Sequence, residues 1–121
     1  MKKGDASKRW SGQDWSEFLL DFEVPTYNSR VFAIGCFARY VTLYSQQVRA
    51  LNLIRALLAT AVIARGKKLA VIGAGASGLT AAAAAAVKGV NVTVMEELEG
   101  ILEIQQNNRQ RWIHPHIFDW P

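Results

Sequence analysis

Residues 68–96 read KLAVIGAGASGLTAAAAAAVKGVNVTVME, and this stretch decides the fold. KLAVI at 68–72 is a short apolar run and predicts a strand. Gly73, Gly75 and Gly78 follow as G-x-G-x-x-G. Small residues then predict a helix over 77–88, closed by Gly89. NVTVM at 91–95 predicts a second strand. A strand, a crossover helix and a second strand together predict a parallel βαβ unit.

Each glycine has a physical task in such a unit. Gly73 lets the chain turn sharply out of the strand, Gly75 lets a pyrophosphate approach the backbone, and Gly78 lets the helix sit close to the sheet. The helix N-terminus presents unpaired N–H groups and partial positive charge to the phosphates. Glu96 ends the second strand, with seventeen residues between Gly78 and the carboxylate. A carboxylate at that tip accepts hydrogen bonds from ribose hydroxyls and repels a 2′-phosphate, which argues against NADP. The motif in this context predicts the first βαβ unit of a Rossmann-type dinucleotide-binding fold.

Working outward, residues 46–65 carry Val48, Leu51, Ile54, Leu58 and Val62 at helical spacing. Ser45 is the expected N-cap of this helix and Gly66 its C-cap glycine. VTLY at 41–44 predicts a third strand of the parallel sheet, and SRVFAIGCF at 29–37 a further extended segment. Asp14, with Glu17 three positions on, predicts a capped helix bearing Trp15, Phe18, Leu19 and Phe22 on one face, ended at Val24-Pro25. Beyond Glu96, residues 97–106 predict a helical turn or two interrupted by Gly100. Residues 105–110 predict a polar loop, and RWIHPHIFDWP at 111–121 an extended aromatic segment.

The expected class is α/β: a partial Rossmann-type three-layer fold with a short parallel sheet and an N-terminal helical extension. The expected organisation is an extension over residues 1–40 and a dinucleotide-binding domain over 41–121, incomplete at its C-terminus. A doubly wound fold needs two βαβαβ halves, and 121 residues of this pattern supply one at most.

Composition bounds the remaining classes. Half the residues are hydrophobic, a fifth are charged and the net charge is +4, a globular balance. Part of the basic excess is Lys2, Lys3, Lys8 and Arg9, and no basic stripe with interleaved aromatics follows. The expectation is no nucleic-acid partner. Cys36 is the single cysteine, which excludes an internal disulfide and fits a reduced, cytoplasmic setting. The most apolar stretch, residues 51–64, is interrupted by Arg55 and is shorter than the ~20 residues of a spanning helix. No membrane partner is expected.

At the glycine motif the chain resembles the FAD-dependent oxidoreductases, the broad class that includes flavin monooxygenases and amine oxidases. VIGAGASGLTAAAAA followed by VNVTVMEE is similar to their N-terminal FAD fingerprint. YSQQVRALNL before it and RWIHPHIFDWP after it resemble a bacterial group of FAD/NAD(P)-binding oxidoreductases. The resemblance implies that Gly73, Ala74, Gly75, Ala76, Ser77 and Gly78 line the pyrophosphate and that Glu96 holds the ribose. Many flavoproteins follow the acid with Gly-Gly and then an arginine near the phosphates. Here only Gly100 stands, followed by Arg109 and Arg111, of which Arg111 is the expected phosphate partner.

The leading functional expectation is therefore FAD binding, as the N-terminal portion of a flavin-dependent oxidoreductase. An NAD-binding Rossmann domain and a non-catalytic fragment that has lost its ligand are the alternatives. No catalytic acid, base or nucleophile stands out. Gln46, Gln47 and Arg49 lie where a flavin edge or substrate would pass, or form a solvated first helical turn. His114 and His116 face alike around Pro115, but a third metal ligand is missing and no metal is expected. Trp112, Phe118 and Trp120 would wall a pocket or pack on a core. A missing C-terminal domain or self-association is the expected partner for the open half of the fold.

Overall fold

The computed structural model describes residues 9–35 and 41–109. Helix α1 spans Gly12–Leu20, strands β1 and β2 span Glu23–Val24 and Val31–Phe32, and helix α2 spans Leu43–Ala59. Strand β3 (Lys68–Ile72), helix α3 (Ala76–Val87) and strand β4 (Asn91–Met95) follow. The α/β class and the partial Rossmann-type unit are as the sequence predicts.

Helix α1 starts one cap earlier than expected. Ser11, not Asp14, is the N-cap; its hydroxyl accepts the N–H of Asp14, and the Asp14 carboxylate accepts the N–H of Ser11 at 2.7 Å. The reciprocal pair satisfies two orphan donors and brings a negative charge to the positive helix end. The predicted apolar face holds: Leu19 and Phe22 are buried, and Trp15 and Phe18 pack against them. Ring centroids stand 5.9 Å apart for Trp15–Phe18 and 4.9 Å for Phe18–Phe22. The extended stretch expected at 29–37 reduces, within the described residues, to the two residues of β2. They pair antiparallel with β1, Glu23 opposite Phe32. Arg30 forks onto the Glu23 carboxylate at 2.7 and 2.8 Å across this hairpin.

Residues 41–44 are not a strand. Thr42 caps α2, and Ser45, the expected cap, is the third helical residue; each hydroxyl accepts the other's backbone N–H, at 2.9 and 3.0 Å. Local β preference of VTLY yields to this capping pair. The helix also ends earlier than residue 65. Thr60 returns its hydroxyl to the Ala56 carbonyl at 2.8 Å, and Ala61 turns left-handed at φ 56°. Gly66 is therefore not a helix cap. It sits at φ 81° in the turn that feeds β3.

The buried stripe of α2 is Ala50, Leu53, Ile54, Ala56 and Leu57. Val48 and Leu51, expected inside, are exposed. Ala50 and Ala56 are fully buried and share one core with Ala81 and Ala85 of the alanine helix α3. Arg49 binds the N-terminal segment to this core. Its Nε donates to the Ile34 carbonyl at 2.6 Å, and its guanidinium lies 4.1 Å from the Phe22 ring centre.

Strands β3 and β4 pair in parallel, from Lys68 opposite Asn91 to Ile72 opposite Met95. Val71 turns into the core and Leu69 and Val92 pack against it, while Ile72 is 76 % exposed on the other face. Met95 and Ala70 are exposed as well. Among the described residues no helix is long and apolar enough to cross a membrane.

Candidate functional site

The site begins where β3 runs out. Gly73 takes φ 98°, a left-handed value that a side chain rarely adopts, and this reverses the chain after Ile72. Its N–H still donates to the Met95 carbonyl at 2.7 Å, so the turn stays tied to the sheet. Gly78 packs against that turn. A Cβ built there would overlap the carbonyl oxygen of Gly73, so only glycine lets α3 approach so closely.

Gly75 differs from both. It is the N-cap of α3 at an ordinary φ of −80°, and it makes no side-chain cap hydrogen bond. Among the described residues a Cβ on Gly75 would meet nothing within 4 Å. The position lies directly before a helix end that has no side-chain cap. Orphan N–H groups and the helix dipole make that end favourable for an anion. Ala76, Ser77 and Gly78 form the first turn beneath it. The open space over Gly75 and the bare helix end fit a pyrophosphate.

Glu96 follows from the register. Met95 pairs with Ile72, so the next residue stands beside the glycine turn. One carboxylate oxygen accepts the N–H of Ala74 at 2.5 Å, and the other accepts the N–H of Leu98 at 3.0 Å. The Leu98 N–H, then that of Ala74, hold the acid below its ordinary value of 4.5. Glu96 is exposed, so water screens this effect, but the direction keeps it a carboxylate at neutral pH. Ala74 is buried, and its carbonyl accepts the N–H of Leu102 at 2.9 Å.

Residues 97–106 do not form a regular helix. They make a run of bends and turns. Leu102 is left-handed at φ 53°. Nothing in the local sequence marks Leu102 as the residue that returns to the glycine turn.

A groove of about 630 Å³ runs from the Ser29–Gly35 stretch along β3 to the turn, where Gly73, Gly75 and Ser77 line it. Its floor is apolar, with Leu53, Leu57 and Val71. The contribution of residues 29–35 to this wall carried no motif.

The polar residues of the first turns of α2 are partly drawn elsewhere. Arg49 is engaged with Ile34 and Phe22. Gln47 reaches Thr80 at 3.4 Å, and Thr80 in turn donates to the Ala76 carbonyl in the first turn of α3. Gln46 lies in the first turn of α2. Arg111, His114, His116, Trp112, Phe118, Trp120 and Cys36 lie outside the described residues. Among the described residues no group of three metal-ligating side chains gathers.

The sequence profile of a family described as pyridine nucleotide-disulphide oxidoreductase matches residues 13–117. No curated protein and no solved structure matched the chain.

Proposed function

The chain belongs to the pyridine nucleotide-disulphide oxidoreductase family, whose members bind FAD or NAD(P), and on that premise we propose that its βαβ unit holds the ADP half of FAD. One observation carries the reading: a carboxylate, Glu96, is fixed beside an uncapped helix N-terminus with open space over Gly75. In this reading Gly73, Ala74, Gly75, Ala76, Ser77 and Gly78 cradle the pyrophosphate. Glu96 accepts the ribose hydroxyls, and Arg111 neutralises a phosphate.

The chain's own part is to bind and orient. Backbone N–H groups at the start of α3 meet the phosphate oxygens, and Glu96 sets the adenosine end. When bound, the flavin supplies the electron-transfer chemistry. No residue of the chain is assigned a catalytic proton or nucleophile. The reading includes a reducing cytoplasmic setting, in keeping with Cys36 as the lone cysteine. It also divides the chain into an extension at 1–40 and a cofactor domain at 41–121, completed by further strands from a C-terminal domain or a second copy.

Calorimetric titration with FAD, NAD and ADP, alongside the visible spectrum of the purified protein, tests this. FAD and ADP binding with a flavin absorbance band is the expected result. Preference for NAD over FAD transfers the site to the NAD reading. No binding by any of the three identifies a fragment without ligand.

A further inference from the structure

Both polar groups of the Ala74 backbone are satisfied from the segment that follows β4. Its N–H donates to Oε2 of Glu96, and its carbonyl accepts the N–H of Leu102. The second oxygen of Glu96 accepts the N–H of Leu98. Residues 97–108 are thus tied to the glycine turn directly by the Leu102 N–H and indirectly by the Leu98 N–H, through the Glu96 carboxylate that holds Ala74.

Two features mark a cost in this docking. Leu102 holds φ 53°, a left-handed conformation that a bulky side chain enters at a steric cost. Among the described residues Gln105 Oε1 is buried without a hydrogen-bond partner, an arrangement that costs free energy. A segment carrying both would gain from a ligand that favours the docked arrangement.

Glu96 provides the link. An ionised carboxylate offers about four lone-pair positions, and two are taken by the N–H groups of Ala74 and Leu98. The Glu97 N–H also faces this carboxylate, more weakly, and the remaining acceptor capacity lies on an exposed side chain. Two adjacent hydroxyls, one for each oxygen, would add to the existing bonds rather than displace them.

We propose that residues 97–108 form a flap coupled to the adenosine diol: a ribose bound at Glu96 clamps the flap onto the glycine turn through Leu98 and Leu102, and a ligand without the diol does not. This rests on the ribose reading of Glu96. It makes Glu96 and Leu102 positioning residues that report which ligand is present.

Residue-resolved amide hydrogen exchange and amide spectra of the full chain read the coupling. ADP at about ten times its Kd should slow exchange at Leu98 and Leu102 about tenfold, the linkage factor for a ligand that binds only the docked flap. Inorganic pyrophosphate and 2′,3′-dideoxy-ADP, each raised until the amides of Gly75 to Gly78 shift, should leave Leu98 and Leu102 unchanged. In Glu96→Gln, ADP should still shift the Gly75 to Gly78 amides but lose the slowing at Leu98 and Leu102. ADP that shifts the glycine turn without slowing Leu98 and Leu102 overturns the flap and leaves the cofactor site standing. Equal slowing by pyrophosphate, or slowing that survives Glu96→Gln, overturns the diol coupling. ADP that shifts no amide of the glycine turn overturns the flap and the cofactor site together.

Discussion

The Glu96 carboxylate accepts the backbone N–H of Ala74 at 2.5 Å, across 22 residues of chain. The end of β4 is thereby tied to the turn after β3 by the chain's own groups. A ligand meeting this site finds the acid already oriented, which reduces the ordering it must impose. The three glycines beside it are not equivalent, and substitutions should separate their roles.

Gly75→Val should abolish ADP and FAD binding while leaving the fold intact. The position has ordinary φ and a Cβ there meets no described atom within 4 Å, so the new side chain projects where the pyrophosphate would lie. Calorimetry gives the affinity and circular dichroism the fold. Equal affinity in both proteins would remove the phosphate-cradle role from Gly75.

Gly78→Ala should act in the opposite way, on stability. The added methyl meets the Gly73 carbonyl, which belongs to the turn itself and has little room to move. A loss of about 1–3 kcal/mol is expected, the scale for overpacking a close contact. Urea unfolding measures it, and an unchanged midpoint would mean that α3 can shift outward freely.

Glu96→Ala should weaken ADP roughly tenfold or more, the scale for hydrogen bonds to a charged group. It should weaken 2′,3′-dideoxy-ADP much less. If the mutation affects the two ligands alike, Glu96 does not read the ribose.

The ionisation of Glu96 gives a pH dependence of known sign. Its acid is held below 4.5 in the folded chain, chiefly by the Leu98 N–H. The carboxylate form therefore stabilises the docked segment at pH above the unfolded value, and that contribution is lost as pH falls through the lower folded value. The Ala74 and Leu98 amide resonances should stay constant from neutral pH down to about the ordinary carboxylate range and move only below it. Glu97, Glu99 and Glu103 lie on the same segment, so the Glu96→Gln chain serves as the control. A midpoint at or above the ordinary value would show that the two N–H groups do not favour the ionised form.

Self-association is expected of the isolated chain. Ile72, Met95, Leu98 and Ile101 are all roughly half exposed or more, and β3 and β4 are the sole members of their sheet among the described residues. Open strand edges and apolar faces drive association. Ile72→Glu should shift size-exclusion profiles towards monomer at unchanged helical content. An already monodisperse wild-type monomer would show that the open face is tolerated.

The βαβ unit was legible in residues 68–96 because its signals are local. The turn glycines, the small-residue helix and the acid one step past the second strand follow from spacing and backbone sterics alone. The same local reading misplaced residues 41–44, where β-branched and aromatic content suggested a strand. Thr42 and Ser45 cap each other instead, and a helix that buries Leu53 and Leu57 gains more than an isolated edge strand could. The side of α2 that faces inward was equally undetermined, since an apolar helix offers several stripes. Packing in the core shared with Phe22 and the α3 alanines selected the one holding Ala50 and Ala56. The union of Leu102 with Ala74 has no counterpart in sequence. It joins residues far apart through backbone groups that every residue carries, so only the folded chain could specify which two would meet.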